Sequence, residues 1–441
     1  MAGSAFGFSR PTILAESRMR GVDAEHAARG AAPALRRWAD ETFGALAIAP
    51  FRTLWIGTFT SFLAFFMSTV VNSVVAFQLT GSNRAVGTVI FGQGIAMFLL
   101  GPFGGALADR WPKRRVVAAG QSVAGASFAT LAVLYAAGWL AIAHLAIGAF
   151  ALGTCFAFIG PARQALVGEL VPPEQRGNAT ALALVANNAS RIGGPAVAGV
   201  LLAWDAAGPG SAYCAMAALY GLAAATLHWL PPSLGRADRG SHVLADVVDG
   251  LRYVRQRRVL KLLLLQFVGV FMVGFPYVAL MPGLVENQLG RGAEGISLLA
   301  GSAAAGGLLT SLLVARIADS PRARAVNTGL GFLFAVSLLA LALAPSFALA
   351  AVASFGIGAA SGGYQTLATA VMLVTTEPIY IGRVMSLTMM AFAGFGVMGL
   401  PIGWLADAIG ERGTLTAMAI AVTVVMAWTQ AALAREAART S

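Results

Sequence analysis

The stretch GPFGGALADRWPKRRVV, from Gly101 to Val117, places a carboxylate among cations at the end of an apolar run. Asp109 and Arg110 end that run, and Pro112 stops the helix from continuing straight into the next apolar segment. Three further cations follow: Lys113, Arg114 and Arg115. A carboxylate in such a turn can pair with an arginine or with the positive end of a helix dipole. The alternative is a simple anchor, because cations on a short loop mark the cytoplasmic side of a membrane.

A second charge lies inside an apolar run. Arg191 falls about twelve residues into its run, roughly 18 Å deep at about 1.5 Å per residue. A central arginine costs about 2.5–3.5 kcal/mol to insert, so it should face the interior of a helix bundle. Asn187 and Asn188 lie close to it at helical spacing. These residues predict either a contact for an anionic or phenolate-bearing substrate, or an interhelical hydrogen-bond network with Asn72 or Gln93.

Other polar side chains in the apolar runs are further candidates for a substrate cavity. They are Asn72, Gln93, Gln266, Tyr277, Tyr364 and Gln365. Aromatic and methionine side chains stand near them, and such walls adapt to bulky ligands. The alternative for each residue is packing within a bundle, where polar side chains bond across helices.

The composition is that of an integral membrane protein. Of 441 residues, 58% are hydrophobic and 11% are charged, and the mean hydropathy is +0.75. A soluble domain has about 25% charged residues. The apolar runs have the length of membrane-spanning helices. We predict an all-α membrane protein with twelve transmembrane helices at about 52–79, 84–108, 114–136, 139–164, 178–204, 211–230, 260–284, 294–318, 324–344, 346–373, 380–407 and 412–434.

The spans form two groups of six around a polar linker, which predicts two pseudo-symmetric six-helix bundles. The predicted divisions are a cytoplasmic tail (1–51), a first bundle (52–230), a linker (231–259), a second bundle (260–434) and a second tail (435–441). The linker contains an amphipathic segment, 242–259, which we expect to lie on the membrane surface. Residues 24–46 are expected to form either a short surface helix or a disordered tail.

The distribution of cations predicts the orientation. The chain has 30 lysines and arginines and a net charge of +11. With both termini in the cytoplasm, nearly all of them fall on the inner side, and the exceptions outside are Arg84, Arg291 and Arg412. The basic charge is therefore a topology signal that faces anionic lipid, not a nucleic-acid surface. We predict a multi-pass protein of the inner membrane.

The second half carries a weaker copy of the opening stretch. Asp319 follows the first-half Asp by about 210 residues and also comes after a glycine pair, with Arg322 and Arg324 in place of the basic tail. Pro195 in the fifth span corresponds to Pro401 in the eleventh at a similar offset. The common spacing indicates that the two halves are repeats.

Several of these motifs resemble those of a known family of membrane transporters. Gly105, Asp109, Arg110, Arg114 and Arg115 match the loop motif of major facilitator superfamily transporters, and the likeness extends over 52–434. QLTGSNRAVGTV (78–89) and PARQALVGELVPPEQRGNATAL (161–182) resemble the enterobactin-exporter and macrolide-efflux branch. GGPAVAG (193–199) is similar to the glycine-proline motif of antiporters, although Ala198 stands where a glycine is usual.

The resemblance implies alternating access, in which one bundle rocks against the other around a central site. It implies that Asp109 closes the inner gate by engaging the start of span eleven and nearby arginines. Proton coupling is also implied by the family, yet none of the nineteen acidic residues lies at the middle of a span. Asp109 and Glu169, near the inner end of span four, are the candidates for it.

We therefore expect a monomeric secondary exporter of a bulky amphipathic small molecule, a siderophore or a drug, driven by protons and without a cofactor. The alternatives are an importer or facilitator of a metabolite and, more distantly, a membrane-embedded enzyme. No phosphate-binding loop or hydrolase constellation occurs in the sequence. The four histidines are scattered, and Cys155 and Cys214 lie in apolar runs, so we expect no metal site.

Overall fold

Long helices account for nearly all of the chain that the computed structural model describes, residues 43–204, 208–231, 243–317, 320, 322–377 and 380–440. At several positions inside these ranges, 105–110 among them, only the backbone is described. Within the described ranges every regular element is a helix. This confirms the predicted all-α membrane fold. Most of the predicted surface segment 24–46 lies outside the described residues.

Twelve of the helices cross the membrane. The first six are α1 (Ala49–Thr80), α2 (Asn83–Arg110), α3 (Lys113–Ala136), α4 (Ile142–Leu170), α5 (Arg176–Ala203) and α6 (Gly208–Trp229). The second six are α7 (Arg258–Gln288), α8 (Ala293–Ala315), α9 (Ala323–Leu343), α10 (Phe347–Thr375), α11 (381–409) and α12 (411–440). α11 and α12 are joined directly at Gly410, whose φ of 79° and ψ of 163° are not helical and separate the two helices.

Composition alone marks ten membrane-length segments in the described chain. α5 falls outside that set because its asparagines and Arg191 lower its mean hydropathy, and α11 and α12 count once because they are joined. The least regular span is α7, which continues from Gly274 as a 3-10 helix (Phe275–Leu280) and ends in a π-helical turn (Leu284–Gln288). Pro276 and Pro282 interrupt the regular hydrogen bonding there.

The two ends of the molecule differ in charge. The end with the α2–α3, α4–α5 and α10–α11 turns also holds the starts of α1 and α7, and we call it the basic end. The opposite end carries the α1–α2, α7–α8 and α11–α12 turns. Arg84, Arg291 and Arg412 lie at the opposite end, as the charge pattern predicts.

Close helix pairs repeat in the two bundles. In the first bundle, a Cβ on Gly153 of α4 would overlap the backbone carbonyl of Gln93 on α2. In the second bundle, a Cβ on Gly358 of α10 would overlap the carbonyl of Ala303 on α8. Small residues let membrane helices approach until their backbones touch. Because α2 and α4 correspond to α8 and α10, this packing agrees with the predicted internal repeat.

The bundles meet along two helix pairs near the opposite end. α2 packs on α11, and a Cβ on Gly94 would overlap the Cα atom of Gly396. α5 packs on α8, where a Cβ on Gly199 would overlap the side chain of Ser297. Gly199 belongs to the glycine-proline motif, so that motif lies at the boundary between the bundles. Glycine is required at both crossings because a larger residue would separate the helices.

The linker helix spans Val243–Gln256, slightly shorter than the predicted 242–259. It binds the α10–α11 turn of the second bundle: the rings of Tyr253 and Tyr380 stack at 3.9 Å, and Arg257 forms an ion pair with Glu377. Val248 and Leu251 remain exposed. The linker is thus held on the second bundle with part of its apolar face free for lipid.

We predict that Gly94→Ala weakens the contact between α2 and α11. An added methyl group in a packed contact costs about 1–3 kcal/mol when the neighbour cannot move, and here the neighbour is backbone. Spin labels at Leu79 and Gln288, exposed at the opposite end on different bundles, should report longer distances in the variant.

Gly101→Ala is the matched control, because Gly101 lies on the same helix and nothing stands within 4 Å of its missing Cβ. It should leave the distance unchanged. Equal distances in Gly94→Ala and the unmodified protein would show that the crossing tolerates a larger residue.

Candidate functional site

A cavity of about 330 Å³ lies within the first bundle, in the half nearest the basic end. The first turns of α1 and α5 and the last turns of α4 form its wall. The larger lining side chains are Phe51, Trp55, Phe62, Phe156, Ile159, Arg163, Gln164, Leu184 and Asn187. Small-molecule sites have volumes from about 300 to 1,000 Å³ and mostly apolar walls with a few polar groups. The cavity has the size and the lining of such a site.

Arg163 is the one charged residue among the described residues that line this cavity. Its residue is only 7% exposed, its Nη2 donates to Ser61 Oγ at 2.8 Å, and its guanidinium lies 5.0 Å from the centre of the Phe62 ring. Its Nε has no hydrogen-bond partner among the described residues. A buried cation therefore faces the cavity with part of its hydrogen-bonding capacity unused.

Arg163 was not among the predicted site residues. The predicted fourth span ends at 164, which places Arg163 at the membrane boundary, whereas α4 continues to Leu170. Two further turns of helix put the arginine inside the bundle. The signal in the sequence is the apolar pair Leu166 and Val167, both buried, which continues the helical pattern beyond the arginine.

Aromatic side chains form the remainder of the wall. Trp55 is held in place because its Nε1 donates to the backbone carbonyl of Leu182 on α5 at 2.8 Å. Phe156 packs against Phe65 with ring centres 4.3 Å apart and against Phe62 at 5.8 Å. These contacts fix flat apolar surfaces beside the guanidinium.

Arg191 lies one turn beyond Asn187 on α5, and Asn187 lines the cavity. The half-buried guanidinium interacts electrostatically with the hydroxyl of Tyr277 on α7, across the boundary between the bundles. Tyr277 also lines a smaller cavity of about 40 Å³ between α1, α7 and α8. Arg191 therefore lies at the boundary between the bundles, and Asn188 beside it is half-buried.

At the opposite end, carboxylates hold the bundles together. Asp407 of α11 accepts hydrogen bonds from Ser82 Oγ (2.5 Å) and from the backbone nitrogens of Asn83 (2.8 Å) and Arg84 (3.2 Å), which start α2. A carboxylate at a helix N-terminus satisfies free N–H groups and the helix dipole. A cation–π contact adds to these hydrogen bonds, because the Arg84 guanidinium lies 4.4 Å from the centre of the Trp404 ring on α11.

Glu411 adds a buried link at the same end. Its Oε1 accepts from Asn83 Nδ2 at 3.0 Å and from Asn287 Nδ2 of α7 at 2.9 Å. The residue is 5% exposed. Neither Asp407 nor Glu411 was predicted to have a role, because acidic residues near a span end are usual in membrane proteins.

A model of the Major Facilitator Superfamily matches residues 54–399, more than three quarters of the chain. The chain belongs to this superfamily. Among solved structures, its fold is similar to a bacterial homolog of the human lysosomal transporter Spinster, in an inward-facing and unoccupied conformation. The TM-score is 0.71 at 17% identity, over 87% of this chain and 97% of that one. The nucleoside transporter NupG is similar with a TM-score of 0.68 at 12% identity, over 87% and 99% of the two chains.

Two bacterial relatives are similar over part of their length. The multidrug resistance protein MdtH of Edwardsiella ictaluri (strain 93-146) is 36% identical over 193 residues, which cover 43% of this chain and 44% of that protein. MdtH of Salmonella arizonae is 30% identical over 192 residues with the same coverage. Each alignment spans less than half of the relative. The chain is thus a multi-pass membrane protein of a transporter superfamily, and the branch within it stays a prediction.

The facilitator loop motif is described in part. Gly105, Asp109 and Arg110 lie in the last turns of α2, where the structure describes the backbone only. Arg114 donates to the carbonyls of Leu230 (2.6 Å) and His228 (3.0 Å) at the end of α6. It therefore binds the carbonyls left free at a helix C-terminus.

The other motif residues are mostly exposed. Arg115 faces outward, as do Arg322 and Arg324 of the second-half copy, whereas Asp319 lies outside the described residues. Glu169 forms an ion pair with Lys113 at 2.5 Å and thereby joins the end of α4 to the start of α3. Among the candidates for proton coupling, Glu169 is the one whose side chain is described.

The structure places three of the predicted cavity residues inside the bundles instead of in the cavity wall. Asn72 accepts a hydrogen bond from Tyr213 Oη at 3.1 Å, within the first bundle. Gln266 is 1% exposed and accepts from Gln430 Nε2 at 2.9 Å, within the second bundle. Tyr364 is 1% exposed and packs beside Gln266.

Because their polar groups are used between helices, these three side chains fit the packing alternative. Gln93 and Gln365 are half-buried and do not line the 330 Å³ cavity among the described residues.

We predict that Asp407→Asn shifts the protein away from the closed arrangement at the opposite end. The variant keeps an oxygen acceptor but loses the charge that favours the start of α2, an effect of about 0.3–1 kcal/mol at an exposed helix end. Double electron–electron resonance between labels at Leu79 and Gln288, with Cys155 and Cys214 replaced by alanine, should show a larger long-distance fraction. An unchanged distribution would show that the charge does not hold this end.

Proposed function

We propose that the protein is a proton-driven secondary exporter of bulky amphipathic small molecules. The observation that supports it best is the asymmetry along the membrane normal. Contacts between the bundles close the opposite end, while the 330 Å³ cavity lies toward the basic end. This arrangement is one of the two states that alternating access requires.

The direction of transport follows from the orientation that we propose. Cations mark the cytoplasmic side of a membrane protein, so the basic end faces the cytoplasm of a bacterial inner membrane and both termini are cytoplasmic. The cavity is then loaded from the cytoplasm. Similar proteins that carry the name multidrug resistance protein favour a drug-like cargo, and a siderophore fits the same apolar and polar lining.

Coupling is assigned to carboxylates at the basic end. Asp109 ends α2 at the position where the superfamily motif closes the inner gate. Glu169 holds Lys113, so protonation of Glu169 would break an ion pair between α4 and α3. Both groups can exchange protons with the cytoplasm, because neither lies at the middle of a span.

We predict that an imposed pH gradient drives dye accumulation in proteoliposomes, measured with the amphipathic dyes carboxyfluorescein and rhodamine 6G. Asp109→Asn should fold but lose roughly tenfold or more of the rate, since the amide keeps the shape of the group and not its charge. Glu174→Gln is the control, because Glu174 is an exposed acid at the same end. Accumulation driven by a sodium gradient and not by a pH gradient would exclude proton coupling, and movement of the dye only down its own gradient would indicate a facilitator.

We also predict that Arg191 contacts the substrate as it crosses the boundary between the bundles. Arg191→Met should slow transport of the anionic dye without lowering the melting temperature, because the methionine side chain needs no hydrogen-bond partners at the boundary between the bundles. Arg191→Lys should be intermediate, since it keeps the charge but not the planar guanidinium. Arg176→Met, which removes an exposed arginine at the start of the same helix, is the matched control and should leave transport and melting temperature unchanged. A lower melting temperature with unchanged transport would indicate a structural network.

A further inference from the structure

The cavity in the first bundle has an unbalanced charge. Arg163 is the one charged residue in its described wall, and the nearest acid along α4, Glu169, already binds Lys113. Ser61 Oγ accepts a hydrogen bond from the guanidinium, and the Tyr220 hydroxyl interacts with it electrostatically, but both groups are neutral. An ionised group in an apolar site needs a counter-charge or a full set of hydrogen bonds.

The unused donor is the second observation. An arginine has five N–H donors in a rigid fork that matches carboxylate and sulfonate oxygens. Here Nε is buried without a partner among the described residues, although the side chain is 7% exposed. Arg412 also has a buried Nε without a partner among the described residues, but Arg412 does not line this cavity, whereas Arg163 does. Arg163 therefore combines a place in the cavity wall with a donor that no described residue satisfies.

The aromatic wall specifies the rest of the ligand. Trp55 and Phe62 from α1 and Phe156 from α4 line the same cavity as the guanidinium. Flat rings favour stacked or edge contacts with other aromatic rings. A volume of about 330 Å³ is at the small end of ligand sites, so it fits a molecule of a few fused or linked rings.

We propose that this cavity is an anion-selective binding site, in which Arg163 pairs with a carboxylate, sulfonate or phenolate on an aromatic molecule. The inference deepens the proposed export function by naming the class of cargo as aromatic anions, and it assigns selectivity to Arg163 of α4. Aromatic cations of the same size are disfavoured because the guanidinium repels them. Neutral aromatic molecules can bind against the same aromatic wall but form no ion pair with Arg163.

Equilibrium binding of two matched probes tests the proposal. The full-length protein in lipid nanodiscs is titrated with 1-anilinonaphthalene-8-sulfonate and with its uncharged relative N-phenyl-1-naphthylamine, and the signal of protein-free nanodiscs is subtracted. A hydrogen-bonded ion pair corresponds to about tenfold or more in affinity. Arg163→Met should therefore weaken binding of the sulfonate probe by about tenfold and leave the neutral probe within about twofold.

Arg176→Met is the matched control, because Arg176 is an exposed arginine at the start of α5 outside the cavity wall. It should leave both affinities unchanged. Arg163→Lys keeps the charge in a smaller head group and should weaken the sulfonate probe less than methionine does. If the methionine variant fails to fold, the lysine variant tests the proposal. Lysine changes the geometry of the ion pair with the sulfonate and should leave the affinity for the neutral probe unchanged.

Two results would overturn the proposal. Equal sulfonate affinity in the unmodified protein and in Arg163→Met would remove Arg163 from the site. Equal losses for both probes, together with a lower melting temperature, would show that Arg163 supports the cavity instead of selecting its ligand. Binding is measured without any ion gradient, so the binding results can be interpreted even if the protein does not export its cargo with protons. Export that proceeds without a preference for anionic dyes would contradict the anion site alone.

Discussion

The contact between Gly94 and Gly396 is the constraint on which the rest of the structure depends. Two glycines let α2 and α11 approach until their backbones touch, and the crossing lies nearer one end of the membrane than the other. Apolar side chains gain little by leaving lipid for a helix interface, so close packing and polar links must supply the association. Asp407 and Glu411 provide those links at the starts of α2 and α12.

The closed contact between the bundles and the cavity of the first bundle lie toward different ends of the molecule. The bundles meet near the opposite end, and the cavity lies between α1, α4 and α5 toward the basic end. The interactions that close the molecule are hydrogen bonds to a helix start and to side-chain amides, each worth about 1.5–3 kcal/mol when one partner is charged. A closure made of a few such bonds can be reversed, which alternating access needs.

The sequence predicted the helices well because hydropathy reports directly on transfer into a bilayer. The repeat and the charge asymmetry between the ends also follow from local patterns, and the structure agrees with both. The residues of a cavity wall are harder to predict. The sequence around Asn72 looks the same whether its side chain contacts a ligand or Tyr213. Tyr213 lies on a helix that is far away in sequence, so a local pattern cannot reveal the contact. Arg163 was placed at the inner boundary of the predicted fourth span, which ends at 164, whereas α4 continues to Leu170.

Reversible closure of the opposite end is the central claim, and a reducible cross-link tests it most directly. Ser82 Oγ and Asp407 Oδ2 lie 2.5 Å apart on different bundles, so cysteines at these two positions can be joined by a short bifunctional methanethiosulfonate. The native Cys155 and Cys214 are first replaced by alanine. The account predicts that cross-linking stops dye transport in proteoliposomes and that reduction restores it. Each rate is compared with that of the same variant before treatment, and the reagent should leave the rate of each single-cysteine protein unchanged. Transport at an unchanged rate by the fully cross-linked protein would contradict it.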